Sequence, residues 1–168
     1  VQTFATALLT SYANRNKTNI ALSGGSTPKR MGELLAHSDL PSQAAWEHAD
    51  IFWGDERWVP LESDESNAGV ALRTFLTKVP IPLENVHPLF DPELDQAQGS
   101  AVYQALIEEI VEPVDGVPAF DLIFLGMGED GHTASLFPFS PALAVRDRHV
   151  IPNFVEKLDT TRITFSTT

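Results

Sequence analysis

The sequence predicts an α/β domain built on a mainly parallel sheet. Short apolar runs alternate with helical patterns along the chain. Two of those runs, residues 19–23 and 120–125, stop at glycines and deliver polar residues at once. No internal repeat, low-complexity tract or linker breaks the 168 residues. Residues 1–168 are therefore read as a single domain with room for a core.

The elements follow in order. Residues 3–14 carry helical spacing and open the chain. Residues 19–23 (NIALS) form a strand halted by Gly24 and Gly25. Pro28 suits a first helical position, with Ser26 or Thr27 as cap, and that helix runs to Ala36. Residues 46–53 give a second strand leading into GDERWVP. Ser66 caps a helix to about Leu76, ended by Pro80 and Pro82. Residues 94–111 are the longest helical pattern, with Ala101, Leu106, Ile107 and Ile110 on one side. Residues 120–125 are the third strand, 150–152 a fourth and 162–165 a fifth.

Composition narrows the class of function. An apolar fraction of 43% with ten phenylalanines indicates a globular fold. No run approaches a membrane span and no leader pattern precedes the first helix, so a cytoplasmic protein without membrane contact is expected. Cysteine is absent, which excludes disulfides and thiolate metal sites. The net charge of −12 disfavours nucleic acid, whose binding needs Lys and Arg against phosphates. An anionic ligand would require a local positive field on this acidic background. The first residue is Val1, and the last eight, TRITFSTT, read as an unfinished strand. The chain is therefore expected to be truncated at its C-terminus, with part of the site beyond Thr168.

Three segments carry candidate chemistry. SGGSTP, with Gly24, Gly25, Ser26 and Thr27, joins a strand to a helix start, where free N–H groups and hydroxyls can hold phosphate oxygens. It lacks both the Walker ending and the dinucleotide spacing, and a tight turn capped by Ser26 is an equal reading. In GDERWVP, Arg57 can bind phosphate or carboxylate bidentately, while Asp55 or Glu56 orients it or meets sugar hydroxyls. A local Glu–Arg ion pair is the plainer alternative. In GMGEDGHTASLFP, His132 suits general-base work with Asp130 setting its tautomer. Its commoner fate would be to cap a short helix over 133–137. His37, His48, His87 and His149 are read as surface residues. No His/Asp/Glu set has metal-ligand spacing, so no metal is expected. Ser135 stands outside any nucleophile-elbow pattern.

Taken in this order, SGGSTP, WGDERWVP with Ser66 and Asn67, and GMGEDGHTASLFP resemble the 6-phosphogluconolactonase family over nearly the whole chain. The resemblance implies a modified Rossmann-like, three-layer α/β/α sandwich, shared with the glucosamine-6-phosphate isomerase group. It implies hydrolysis of 6-phosphoglucono-1,5-lactone in the oxidative pentose phosphate pathway, with no metal or organic cofactor. It also implies a sugar-phosphate substrate held by the Gly24–Gly25 segment and Arg57, with His132 as base. Lys157 and Arg162 match the family's basic residues before the final strand, although the proline-rich run expected there is absent. Phe139 replaces a frequent glycine. Two positions separate the chain from glucosamine-6-phosphate deaminases. Their pattern has tyrosine where Arg57 stands and a catalytic glutamate where Phe137 stands, and phenylalanine cannot exchange protons. A non-enzymatic sugar-phosphate sensor of the same architecture is the other alternative, and the basic DNA-binding segment that would favour it does not occur here.

Overall fold

The computed structural model describes residues 1–38 and 43–168. Its helices are α1 (Gln2–Arg15), α2 (Ser26–Leu35), α3 (Gln43–Glu47), α4 (Asn67–Thr74) and α5 (Gln96–Ile110). Its strands are β1 (Thr18–Leu22), β2 (Ala49–Trp53), β3 (Asp55–Arg57), β4 (Pro113–Val114), β5 (Val117–Pro118), β6 (Leu122–Ile123), β7 (Val150–Val155) and β8 (Thr160–Phe165).

β1 lies between β2 and β6 and is parallel to both. Every residue of β1 is buried, as a strand covered on both faces requires. Ile20, Leu22, Ile51 and Trp53 share one core cluster with Phe4 and Leu8 of α1, Leu35 of α2, Trp46 of α3 and Ala71 of α4. The alternating residues Ala21 and Phe52 join Tyr103 and Ile107 of α5, together with Val150 and Ile163, in a second cluster. The parallel sheet is thus sandwiched between helices, in keeping with the α/β class read from sequence.

Polar residues fix the helices onto this frame. The Asp121 carboxylate accepts from Ser11 Oγ (2.6 Å) and from the Asn19 N–H (2.8 Å), and it pairs with Arg15. One side chain thereby ties α1, β1 and the approach to β6. Asp95 and Gln98 form a reciprocal capping box at the start of α5. Ser66 caps α4 by accepting from the Gly69 N–H at 3.0 Å, as its sequence position predicts.

Several local expectations are revised. Residues 46–53 are not one strand, because Trp46 belongs to α3 and its ring fills the core against Phe4. The run 120–125 forms a short ladder at Leu122–Ile123, extended by N–H donation from Asp121 to Asn19 and from Phe124 to Ala21. No helix spans 133–137; Thr133 and Leu136 close a tight turn instead. The last two strands are antiparallel and, with β3, make a second sheet of order β3-β8-β7. The connection between β7 and β8 is far too short for a parallel crossover. β4 and β5 form a hairpin whose Asp115 and Gly116 both have positive φ, the backbone of a two-residue primed turn. His87 is no surface residue: its side chain is 11% exposed, with Nε2 2.7 Å from Asp50 Oδ1 and the ring stacked on Phe52.

Phe4 is fully buried, with its ring 5.4 Å from Trp46 and 6.1 Å from Phe124. Phe4→Ala is expected to lower the unfolding free energy by about 3–5 kcal/mol through loss of burial and an unfilled cavity. Urea titration of the variant beside the parent checks this.

Candidate active site

β1, β2 and β6 run parallel, so the segments that leave them all emerge at the same carboxyl edge of the sheet, where open α/β sheets bind ligands. A cavity of about 220 Å³ receives Gly24 and Gly25 from the first segment, Asp55 and Arg57 from the second, His132 from the third, and Arg162 from β8. A second lobe of about 430 Å³ adjoins it across Arg57 and Asn67 and reaches Ser26, Lys29 and Phe75.

α2 begins at Ser26 with Gly25 as its N-cap, and no side chain caps it. The expected capping by Ser26 or Thr27 is therefore not made, and Pro28 stands two residues inside the helix. The uncapped end leaves helix N–H groups facing the cavities beside the glycine pair. Ser26 lines the larger lobe, whereas Thr27 is exposed in the first turn and lines neither. Gly24 has to be glycine: a Cβ there would lie 1.8 Å from Asn67 Oδ1.

β3 presents Asp55 and Arg57 to the cavity and turns Glu56 away. Glu56 is fully buried. Its carboxylate accepts from Ser66 Oγ (3.1 Å) and from the N–H groups of Asn67 (2.8 Å), Ala68 (2.8 Å) and Arg57 (2.9 Å). Glu56 therefore anchors α4 and makes no ion pair with Arg57. The Arg57 guanidinium instead donates to the Glu65 carbonyl at 2.6 Å. Asp55 is buried and accepts from Ser135 Oγ at 2.8 Å. Burial pushes the Asp55 carboxyl above its ordinary range, opposed by the Ser135 hydrogen bond and then by Arg57 and Arg162. Burial raises Glu56 likewise, opposed by its four donors.

The third segment holds its histidine by a local clamp. Asp130 Oδ1 lies 2.5 Å from His132 Nδ1, and its other oxygen pairs with Lys157. The Lys157 hydrogen bond, then that of His132, hold the Asp130 carboxyl far below the usual carboxylate range. An ionised carboxylate only accepts, so Nδ1 carries a proton, and in the neutral ring Nε2 is the acceptor nitrogen. The imidazole stacks on Phe137, centroids 4.3 Å apart. A Cβ on Gly128 would lie 2.2 Å from His132 Cε1, so only glycine admits the ring.

The basic residues divide. Arg162 stands opposite Arg57 in the β3–β8 ladder, and both have a buried Nε without a partner. Burial, then the neighbouring Arg57, lower the Arg162 pKa. Lys157, expected at phosphate, sits in the turn after β7 and pairs with Asp130. Four of the eleven Lys and Arg residues (Lys29, Arg57, Lys157 and Arg162) thus gather at this end of a chain of net charge −12. Among the described residues no cluster of three or more His, Asp or Glu side chains could hold a metal ion, and no helix is long and apolar enough to cross a membrane.

Two residues, one behind the cavity wall and one in it, carry no role in the sequence reading. Ser135 is fully buried; its hydroxyl donates to Asp55 and its carbonyl accepts from Asn153 Nδ2 at 2.7 Å. Its partner at Asp55 is 80 residues away, so no local signal marks it. Asn67 follows a recognisable cap and lines both lobes.

Residues 1–168 match the model of the family described as glucosamine-6-phosphate isomerases/6-phosphogluconolactonase. The chain is 44% identical over 144 residues to a protein named 6-phosphogluconolactonase from Synechocystis sp., covering 85% of this chain and 58% of the relative. It is 40% identical over 162 residues to one of the same name from Nostoc sp., covering 96% and 65%. It thus spans about three fifths of these relatives' length. A solved 6-phosphogluconolactonase structure from Thermotoga maritima superposes with a TM-score of 0.82 at 30% identity, covering 98% of this chain and 70% of that one.

The two buried carboxyls should respond oppositely to amidation. Glu56→Gln sets an NH₂ against backbone donors and is expected to destabilise by about 1–3 kcal/mol. Asp55→Asn can keep accepting from Ser135 and removes a charge that burial disfavours, so it is expected to stabilise. The sign follows from the raised folded-state pKa: the parent loses stability as pH climbs from the unfolded value of 3.8 through the folded one. The Asp55→Asn gain should be absent in acid and grow towards neutrality, as read by denaturant titrations across pH.

Proposed function

The chain belongs to the glucosamine-6-phosphate isomerase/6-phosphogluconolactonase family, and from that membership we propose that it hydrolyses 6-phosphoglucono-1,5-lactone to 6-phosphogluconate, as a single-domain cytoplasmic enzyme of the oxidative pentose phosphate pathway. The observation that carries the reading is one shared cavity: the Asp130-clamped imidazole of His132 opens into the same space as the glycine loop and two guanidiniums. A proton acceptor and an anion cradle in one pocket suit a substrate that is both an ester and a phosphate. Phe137 stacks on the imidazole where a deaminase would need a carboxylate, which favours hydrolysis over ring-opening isomerisation.

The phosphate is held by Gly24, Gly25, Ser26 and the N–H groups at the start of α2, with Arg57 and Arg162 supplying charge. Thr27 lends only its place in that first turn, and Lys157 acts through Asp130. His132 Nε2 takes a proton from water, and the hydroxide adds to the lactone carbonyl. A tetrahedral oxyanion forms on the lactone carbon, within the general positive field of the pocket. It then collapses with cleavage of the bond to the ring oxygen, which leaves as the 5-hydroxyl with the proton returned from the imidazolium. The acid formed ionises to solvent. Asp130 keeps Nδ1 protonated throughout and balances the imidazolium charge.

In a pH-stat or coupled assay, His132→Ala is expected to lower kcat by about 10²–10⁴-fold while 6-phosphogluconate still raises the melting temperature. Arg57→Ala is expected to raise KM with a smaller effect on kcat. Full turnover by the His132 variant would remove the base assignment. Equal kcat/KM on the unphosphorylated lactone would remove the phosphate cradle.

A further inference from the structure

One buried amide at the site has no part in the chemistry above. Asn67, the first residue of α4, is 6% exposed and lines both lobes of the cavity. Its backbone N–H donates to Glu56 at 2.8 Å, and its side-chain Nδ2 donates to the Asp55 carbonyl at 2.9 Å. A carbonyl oxygen cannot donate, so the carboxamide is fixed with its NH₂ on Asp55 and its oxygen turned the other way. That oxygen lies against Gly24, which is why no Cβ fits there. Among the described residues no donor reaches Oδ1. The result is an oriented, uncharged acceptor set in the wall of the cavity.

We infer that Asn67 is a specificity-determining residue whose Oδ1 accepts a hydrogen bond from a ring hydroxyl of the sugar lactone. This rests on the lactonase reading above. An acceptor oxygen is repelled by phosphate and attracts a donor, and hydroxyls are the donors a neutral sugar ring offers. The cations of the cavity, Arg57 and Arg162, are thereby left to the anionic end of the substrate. An amide also suits this position better than a carboxylate. Asp55 and Glu56 already place two buried carboxyls beside it, and a third would be harder still to ionise. Hydrogen-bonding sites of this kind discriminate strongly against analogues that lack the matching group, because the buried partner is then left unpaired.

The test is a cycle of kcat/KM measurements on parent and Asn67→Ala, using 6-phosphoglucono-1,5-lactone and analogues lacking one ring hydroxyl at a time. Asn67→Ala keeps the backbone donation to Glu56, and Asn67→Ser takes its place in the cycle if the alanine variant does not fold. On the full lactone the substitution is expected to lower kcat/KM about tenfold. One deoxy analogue should show a similar loss with the parent and little further loss with the variant. The same fractional loss on every analogue would overturn the inference and leave Asn67 a structural tie to Asp55. A parent that does not turn over the lactone would overturn the functional reading as well, whereas an active parent with a flat cycle overturns only the role of Asn67.

Discussion

Glu56 is the constraint to which the site answers. A carboxylate taken wholly out of water must be surrounded by donors, and here the donors are one hydroxyl and three backbone N–H groups, two of them at the start of α4. Those helix groups have no intrahelical partner, and the helix dipole favours a negative charge in front of them. Each side therefore satisfies the other. Side chains alternate along a strand, so once Glu56 is committed to α4, Asp55 and Arg57 are committed to the cavity. The same contact sets Asn67 beside Asp55 and against Gly24. Three charged residues in a row, which look redundant in the sequence, have two opposed destinations.

The electrostatics run against the chain as a whole. The protein is strongly acidic, yet β3 and β8 hold Arg57 and Arg162 as cross-strand partners over the pocket. Two like charges in register destabilise a ladder; burial first, and then the facing Arg57 guanidinium, lower the Arg162 pKa. Asp55, buried on β3 itself, offsets one of the two charges. Under the proposed function the phosphate compensates the other. The pocket is then best balanced when occupied, which favours binding of a dianion over a neutral sugar.

Much of this was legible in the sequence, because local signals and tertiary roles coincide there. Glycine-ended apolar runs mark β1 and β6, and the order of the three motifs marks the rim at which they meet. Ser66 announces α4. What escaped notice depends on distant partners or on polarity that disguises structure. Asp55, Glu56 and Arg57 form a strand although nothing in DER looks apolar, since Glu56 is buried by hydrogen bonds instead of by hydrophobicity. Trp46 adjoins an apolar run and so reads as strand, yet its bulk serves the helical layer. Ser135 is silent locally and gains meaning only from Asp55. Lys157 is linked to the phosphate only by its match to the family's basic residues, and its pairing with Asp130 has no signal in the sequence.

The β7–β8 ribbon bears on both halves of the pocket. Lys157 in its turn fixes Asp130, Arg162 on its return strand faces the cavity, and Asn153 on its outgoing strand holds Ser135. A strand that slips by one residue presents its opposite face. A change of length in the exposed turn at 156–159 would move Lys157, whereas substitutions at its neighbours leave that ammonium in place. Lengthening the turn by one residue would carry Lys157 away from Asp130 and so loosen the carboxylate that holds the His132 ring.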